Sequence, residues 1–295
     1  MSKLRLSSTA KLNSGYEMPL LGFGVRVLVY QIPKAQATDI CKEALRLGYR
    51  HIDSASAYHN QGASGASVAA AGVARGEVFF ATKIPMRGHP LGYDSTHHLV
   101  DVALGETQLG YLDLVLIHSP YGGAEARRGA WRALVECVEA GKVRSLGVSN
   151  YGVQHLNELE QYMGELEAQR KGAGGVLSVG QWELHPWLKR DDIVAWCRAR
   201  NVAVEAYCPL VHGERFGDTK VLAVAAKYAK TEAQILLRWS LQKGYAPLVK
   251  SVRPARIAEN ADVFGFELSD DDVKSLETGQ YMPCAWDPTV EALDK

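Results

Sequence analysis

The sequence predicts an α/β fold, a (β/α)₈ TIM barrel with an N-terminal β-hairpin cap. Eight short runs of mainly β-branched and aliphatic residues alternate with longer segments of helical period. Such alternation indicates parallel strands joined by crossover helices, and eight repeats favour closure into a barrel. Because these barrels run to about 250 residues as one unit, we expect residues 1–295 to form a single domain. An open, doubly wound sheet is the alternative.

The first predicted element is the hairpin. Residues 10–12 and 16–18 flank the sequence Asn13-Ser14-Gly15, which is typical of two short strands that turn at a glycine. We expect this hairpin to cap one end of the barrel.

The barrel strands and helices follow in alternation. The predicted strands are residues 20–24, 50–53, 78–83, 112–118, 143–149, 179–183, 202–207 and 246–250. Helical period is found in residues 34–47, 101–109, 131–140, 191–200 and 231–242. The sequence Thr231-Glu232-Ala233-Gln234 is typical of a capping box and supports a helix that begins there.

Composition excludes several functional classes. The chain has 33 basic and 33 acidic residues, which argues against a nucleic-acid binder or a polybasic membrane surface. An apolar run of signal-peptide or membrane-span length is absent from the sequence, so we expect a cytoplasmic protein. An odd number of cysteines without a Cys-x-x-Cys pair favours small buried hydrophobes over a disulfide framework or a zinc ribbon; they are Cys41, Cys137, Cys197, Cys208 and Cys284.

Reactive side chains stand at the ends of the second, third and fourth predicted strands. Asp53 ends strand two with Tyr58 in the next loop, Lys83 ends strand three and His118 ends strand four. The active sites of such barrels lie at the carboxyl ends of the strands. A lysine ammonium held by Asp53 is expected to lower the pKa of the phenol, while the imidazole orients a substrate oxygen. This set predicts a general acid for a carbonyl oxygen, with hydride supplied by a nicotinamide.

Two alternatives use the same residues. In a metallohydrolase, His51, Asp53, His118 and His185 would hold a metal ion, but that interpretation leaves Lys83 and Tyr58 without a role. A non-catalytic NADP(H)-binding barrel, acting as a sensor or subunit, is the other alternative. Under the preferred interpretation no metal is expected.

A cluster of cations near the end of the eighth strand indicates the cofactor. Lys250, Arg253 and Arg256 lie in the region where barrels commonly bind phosphate. Lysine provides a point charge and arginine a bidentate fork for phosphate. The cluster therefore favours NADPH over NADH. The segment Gly22-Phe23-Gly24 lacks the third glycine of a Rossmann fingerprint and is interpreted as a tight strand end.

These segments together resemble the aldo-keto reductase family. The resemblance lies in the segments GYRHIDSA (48–55) with Tyr58 and Asn60, ATK (81–83), LIHSP (116–120), GVSN (147–150), LVKSV (248–252) and RIAEN (256–260). The motifs occur in family order over nearly the whole chain. Their joint agreement is much more specific than any one of them.

The resemblance implies the site residues. Asp53, Tyr58, Lys83 and His118 form the implied catalytic tetrad. The implied NADPH-binding residues are Ser149, Asn150 and Gln181 for the carboxamide, Tyr207 stacked on the nicotinamide, Lys250, Ser251 and Arg256 for the 2′-phosphate, Glu259 and Asn260 for the adenine, and Leu210, Val252 and Arg253 as further contacts.

The sequence also departs from the family pattern. About four extra residues, 26–29, precede Tyr30 in a loop that lines the family's substrate pocket, and Gln61, Ser64 and Val249 replace more usual residues. We expect a small-molecule carbonyl substrate and a monomer or weak homodimer. The expected substrate contacts are Tyr30, Tyr121 and Trp286, the last in a pocket-lining loop at 281–286.

Overall fold

A computed structural model describes residues 4–26, 34–85 and 90–295. Among these residues the strands form two sheets, a two-stranded antiparallel sheet and a closed barrel. The strands are β1 (Thr9–Lys11), β2 (Glu17–Pro19), β3 (Gly22–Gly24), β4 (His51–Asp53), β5 (Phe79–Ile84), β6 (Leu112–Ile117), β7 (Val143–Ser149), β8 (Leu177–Glu183), β9 (Ala203–Tyr207) and β10 (Ala246–Val249).

The barrel confirms the predicted fold class and excludes the open sheet. Its order is β10-β3-β4-β5-β6-β7-β8-β9, closing on β10, and each neighbouring pair in this described sheet is parallel. The predicted strands coincide with β3 to β10 within two residues at either end. Parallel strands covered on both sides are mainly apolar along their whole length, which is why they could be recognised without an alternating pattern.

The hairpin caps the barrel as predicted. β1 and β2 pair with Ala10 opposite Met18, and the turn contains Gly15 at φ 92°, a conformation that favours glycine. The Asn13 amide donates to the carbonyl of Leu177, the first residue of β8, at 2.9 Å. Leu12 and Met18 pack into the barrel interior among side chains of β5, β6, β8 and β10. The hairpin therefore closes the end at which the strands begin.

Helices surround the barrel. They are α1 (Lys34–Arg46), α2 (Gln61–Ala70), α3 (Tyr93–Thr107), α4 (Gly123–Glu139), α5 (Val153–Gln169), α6 (Asp191–Ala199), α7 (Thr219–Tyr228), α8 (Glu232–Gln242), α9 (Pro254–Ala261) and α10 (Asp270–Leu276). The predicted helical segments correspond to α1, the second half of α3, the second half of α4, α6 and α8.

The other helices were not predicted from their sequences, and α2 illustrates the reason. Its sequence, QGASGASVAA, has little contrast between apolar and polar faces. Small residues are needed there, because a Cβ atom added at Gly65 would lie 2.6 Å from the carbonyl oxygen of Thr107 in α3. Packing against α3, and not helical propensity, explains this composition.

The apolar core has two parts. One fills the barrel interior, and a larger one lies between strands and helices. Trp182, Trp187 and Trp196 are buried in the larger part and act as packing residues. Within the described part of the chain, no helix combines the length and apolar character needed to cross a membrane.

Candidate active site

Three neighbouring strands bring the four predicted reactive side chains to one end of the barrel. Asp53 is the last residue of β4, and Tyr58 ends a short 3₁₀ helix, Ser56–Tyr58, that follows it. Lys83 lies in β5, and His118 directly follows β6. Asp53, Tyr58 and His118 line a cavity of about 830 Å³, while Lys83 is fully buried behind it.

The Lys83 ammonium is held by oxygen atoms from β4 and the residue after it. Its Nζ donates to both carboxylate oxygens of Asp53, at 2.7 and 2.6 Å, and to the carbonyl of Ser54 at 2.8 Å. Burial alone would lower the pKa of Lys83, but the charge of Asp53 and the nearby Tyr58 outweigh burial and raise it. The amine therefore stays charged in a fully buried position.

Tyr58 lies over this ion pair. The Lys83 Nζ is 5.2 Å from the centroid of the Tyr58 ring. Burial raises the pKa of Tyr58 and outweighs the opposing effects of Lys83 and Arg26. The expectation of a net lowering of this pKa was therefore wrong, since desolvation of the phenolate is the larger effect. Tyr58 is a protonated hydrogen-bond donor at neutral pH.

His118 faces Tyr58 across the cavity. The two ring centroids are 5.9 Å apart in an edge-to-face arrangement. Burial, together with the positive charges of Lys83 and Arg26, lowers the pKa of His118 to about 3. The imidazole is therefore neutral at physiological pH and carries one N–H donor and one acceptor nitrogen.

Hydrogen bonds fix the side chains at the ends of β7, β8 and β9. The Ser149 hydroxyl donates to the carbonyl of Gln181 at 3.0 Å, and the Asn150 amide donates to the carbonyl of His118 at 3.0 Å. The Tyr207 hydroxyl donates to Asn150 Oδ1 at 2.8 Å. Ser149, Asn150, Gln181 and Tyr207 line the same cavity as the tetrad.

A buried polar group beneath the tetrad was not predicted. Gln181 Nε2 donates to Asp53 Oδ1 at 3.1 Å and to Glu205 Oε2 at 2.7 Å. Glu205 is fully buried, and its Oε1 lies 3.3 Å from His51 Nε2. Glu205 and Tyr207 are two residues apart on β9 and share a face. That spacing is the sequence signal that could have placed Glu205 below the site.

The amide of Gln181 links this group to the cavity. Both hydrogens of its Nε2 are directed at carboxyl groups. Its carbonyl oxygen is therefore the atom that can accept a hydrogen bond from a ligand in the cavity.

The predicted cations line the other end of the cavity. Lys250, Arg253 and Arg256 lie around the start of α9 and are exposed. None of them forms an ion pair with a residue in the described ranges. The other predicted cofactor contacts also line this cavity: Leu210, Ser251, Val252, Glu259 and Asn260.

The predicted substrate contacts differ in their positions. Trp286 lines the cavity, and its ring centroid is 6.0 Å from that of His118. The ring centroid of Tyr121 is 5.8 Å from that of Trp286, but Tyr121 is not among the residues that line the cavity. Tyr30 and the extra residues 27–29 lie outside the described residues. Arg26, the first of the extra residues, lines the cavity and was not predicted as a site residue.

The metal set of the metallohydrolase alternative is not brought together. His51 lies against Glu205 and Pro19 inside the barrel, while His185 Nε2 is 2.9 Å from Glu183 Oε1. In the described part of the chain, two groups have geometry suited to a metal ion, Cys208–His212–Cys284 and Glu183–His185–Cys284. Neither contains Asp53 or His118.

Comparisons with known proteins agree with this geometry. The model of the aldo/keto reductase family matches residues 20–279. An uncharacterised oxidoreductase of Schizosaccharomyces pombe is 39% identical over 98% of this chain and 100% of its own length. The glyoxal reductase of Bacillus subtilis is 37% identical over 92% of both chains.

Solved structures are similar over the same extent. An aldo/keto reductase from Brucella melitensis superposes with a TM-score of 0.82 at 36% identity, over 92% of this chain and 98% of its own. A variant of Gox0644 in complex with NADPH superposes with a TM-score of 0.84 at 32% identity, over 97% of this chain and 99% of its own.

Proposed function

Because the chain belongs to the aldo/keto reductase family, we propose that it is an NADPH-dependent oxidoreductase that reduces an aldehyde or ketone to an alcohol, with Tyr58 as general acid. The observation that carries this proposal is the layered arrangement of Tyr58 and His118 above the Lys83–Asp53 ion pair, at one end of a cavity whose other end carries three cations. When bound, NADPH supplies the hydride for the carbonyl carbon.

The cavity fits such a cofactor. Its volume of about 830 Å³ lies within the usual range of ligand pockets, about 300 to 1,000 Å³. In the proposed mode Lys250, Ser251 and Arg256 hold the 2′-phosphate, while Glu259 and Asn260 contact the adenine. The NADPH complex of the structurally similar Gox0644 variant supports this choice of cofactor.

The nicotinamide end would be held by side chains that are already fixed. Gln181 Oε1, Ser149 and Asn150 bind the carboxamide in the proposed mode, and Tyr207 stacks on the ring. Leu210, Val252 and Arg253 line the remaining length of the cofactor site. Since these polar side chains are ordered by hydrogen bonds within the protein, binding would lose little side-chain entropy.

The proposed proton transfer uses the protonated phenol. Tyr58 donates its proton to the carbonyl oxygen as negative charge develops there. The Lys83 ammonium, held in place by Asp53, stabilises the phenolate that results. Neutral His118 donates a hydrogen bond that orients the carbonyl oxygen. Trp286, Tyr121 and Tyr30 are the proposed substrate contacts.

Replacing Tyr58 with Phe tests the proposal. We expect Tyr58→Phe to lower kcat by about 10² to 10⁴, because the ring and its packing remain while the proton donor is removed. NADPH consumption would be followed at its near-ultraviolet absorbance with a panel that includes glyoxal, glyceraldehyde and benzaldehyde. NADPH affinity, measured by quenching of protein fluorescence, should stay within a few-fold of the wild-type value.

A matched control is Tyr16→Phe, since Tyr16 is an exposed residue of the hairpin turn and should leave turnover unchanged. Full activity in Tyr58→Phe would overturn the assigned role. NADPH binding by the wild type without consumption of any carbonyl in the panel would instead favour a non-catalytic NADP(H)-binding barrel.

A further inference from the structure

Two thiols and an imidazole converge beside the cavity, at the end of β9. Cys208 directly follows β9, His212 lies in the turn Val211–Gly213, and Cys284 comes from the C-terminal segment. The three ligand atoms lie within 4.8 Å of one another, and Cys208 Sγ is 3.1 Å from His212 Nε2. In a tetrahedral zinc site the bond lengths place such atoms roughly 3.3 to 3.8 Å apart. The group is therefore close to the spacing that one zinc ion requires.

The backbone around these residues is held in an unusual conformation. Cys208, Val211 and His212 have φ values of 49°, 49° and 53°, the left-handed region that non-glycine residues seldom adopt. Left-handed non-glycine residues cost free energy and are often found at functional sites. Here they turn the side chains of Cys208 and His212 toward the cavity, which both residues line.

The third ligand is fixed by a buried carboxylate. Glu183, which is fully buried, accepts hydrogen bonds from the backbone N–H groups of Cys284 at 2.6 Å and Ala285 at 3.0 Å. This contact anchors the C-terminal segment against the end of β8. The position of Cys284 therefore does not depend on a bond to the other two ligands.

A second buried histidine, His185, lies near the same sulfur. The ligand atoms of Glu183, His185 and Cys284 also lie within 4.8 Å of one another. His185 is fully buried, and its Nδ1 has no hydrogen-bond partner among the residues that the structure describes. Such an unsatisfied buried atom is costly unless another group or ion interacts with it.

The surroundings suit a divalent cation. The other ring nitrogen of His212, Nδ1, is 3.9 Å from Glu214 Oε1, which is beyond hydrogen-bond distance but adds a negative charge close to the group. Two thiolates would balance the charge of Zn²⁺. Thiolate and imidazole ligands favour zinc over magnesium or calcium, which prefer oxygen.

We propose that Cys208, His212 and Cys284 bind a zinc ion, with a fourth coordination position directed at the cavity and filled by water or a small ligand. Three protein ligands with one open position form a known type of zinc site. Cysteine binds zinc as the thiolate, so zinc binding at this site is expected to be coupled to proton release. The ion would tie the C-terminal segment, which carries Trp286, to the turn after β9.

The test is zinc binding to tag-free, chelator-treated protein kept under a reductant that does not bind zinc. We expect one equivalent of Zn²⁺ by calorimetric titration and a rise in melting temperature of about 2 to 6 °C in excess zinc. With Co²⁺ as the probe, we expect a cobalt–thiolate charge-transfer band in the near ultraviolet.

Substitutions of the two cysteines test whether these residues bind the zinc ion. Cys208→Ser and Cys284→Ser should each weaken zinc binding at least tenfold. The double variant should lose the cobalt–thiolate charge-transfer band. Cys137→Ala is the matched control, since Cys137 Sγ also lies near a histidine, His97, at 3.6 Å but outside both metal-suited groups. It should keep one equivalent of zinc.

Three results would overturn the proposal. They are the absence of zinc binding by the reduced wild type, unchanged binding by both serine variants, or equal losses in Cys137→Ala. A Cys208–Cys284 disulfide, detected by mass spectrometry in protein that binds no zinc after reduction, would show that the two cysteines form a redox-active disulfide and not a metal site.

Discussion

Glu205 illustrates how a single residue can be assigned a protonation state from its contacts. His51 Nδ1 lies 3.2 Å from the carbonyl oxygen of Pro19, which can only accept, so Nδ1 carries a hydrogen. His51 Nε2 and Glu205 Oε1 are 3.3 Å apart but form no hydrogen bond in this geometry. A neutral His51 with its hydrogen on Nδ1 presents an acceptor nitrogen to Glu205, which favours a carboxyl group that carries the proton. The pKa shifts agree, since burial raises that of Glu205 to about 8 and lowers that of His51 to about 4. The pair is neutral at pH 7.

This protonation state predicts how stability changes with pH. Between the unfolded pKa of His51, about 6.5, and the folded pKa of Glu205, about 8, the folded pair binds one proton more than the unfolded pair. The contribution of the pair to the free energy of unfolding is therefore present below about pH 6.5 and is lost as pH rises through 8. The expected loss is about 2 kcal/mol.

Glu205→Gln tests this prediction, because a glutamine amide mimics a protonated carboxyl group. It can donate to His51 Nε2 and accept from Gln181. We expect the variant to gain about 2 kcal/mol relative to the wild type between pH 6.5 and 9, measured by urea unfolding. A constant difference across this range would contradict the neutral pair.

At the scale of secondary structure, the start of α8 was predicted correctly in detail. Thr231 Oγ1 accepts from the Gln234 N–H at 3.3 Å, and Gln234 Oε1 accepts from the Thr231 N–H at 3.0 Å. The capping box is thus formed as its sequence indicates. Thr231 Oγ1 also donates to Glu259 of α9 at 2.8 Å.

Removing this hydroxyl should destabilise the protein modestly. We expect Thr231→Ala to lower the free energy of unfolding by about 1 kcal/mol, because one N–H at the helix start and Glu259 lose a partner. Thr231→Ser keeps the hydroxyl and should stay within about 0.5 kcal/mol of the wild type. Chemical denaturation would measure both, and equal effects of the two substitutions would rule out the capping role.

The strands were easier to predict than the helices for a physical reason. A barrel strand is buried on both faces, so its signal is a short, mainly apolar run that stands out from its flanks. The first halves of α3 and α4 are polar or glycine-rich, so their helical period begins only near residues 101 and 131. Their folding depends on contacts with neighbouring helices, which one sequence does not display.

At the scale of the whole molecule, the candidate site could be predicted because the barrel gathers all strand ends at one mouth. Asp53, Lys83 and His118 could be assigned to that mouth from their positions at the ends of the predicted strands alone. The Cys208–His212–Cys284 group could not be found in this way, since it joins a turn to the C-terminal segment. Such a contact depends on the path of the chain after α10, for which the sequence has no clear pattern.

A buried arginine, Arg127, helps to attach the end of that C-terminal segment to the barrel. Arg127 of α4 makes a bidentate pair with Glu158 at 2.6 and 2.9 Å. It also donates to the carbonyls of Pro120 and Leu293, both at 2.7 Å. The same guanidinium thus connects two helices, a loop and the end of the chain.

We expect Arg127→Met to lower the free energy of unfolding by about 3 kcal/mol, because it leaves Glu158 without its charge partner and two carbonyls without a donor. The neighbouring Arg128→Met is the control. Arg128 forms a more exposed pair with Glu165, which should be worth less than about 1 kcal/mol. Urea unfolding would measure both variants, and losses of the same size would refute the anchoring role.

The hairpin lies at the end of the barrel opposite the candidate active site, and it limits the routes by which protons reach that site. Leu12 and Met18 are packed into the base of the barrel and separate the buried ammonium and carboxylate from solvent below, as far as the described residues show. Under the proposed mechanism, a phenolate left at residue 58 would therefore be reprotonated through the mouth, along the side by which the alcohol departs. Recovery of the acid is in this way coupled to emptying of the pocket, and a solvent isotope effect on turnover would report on both steps together.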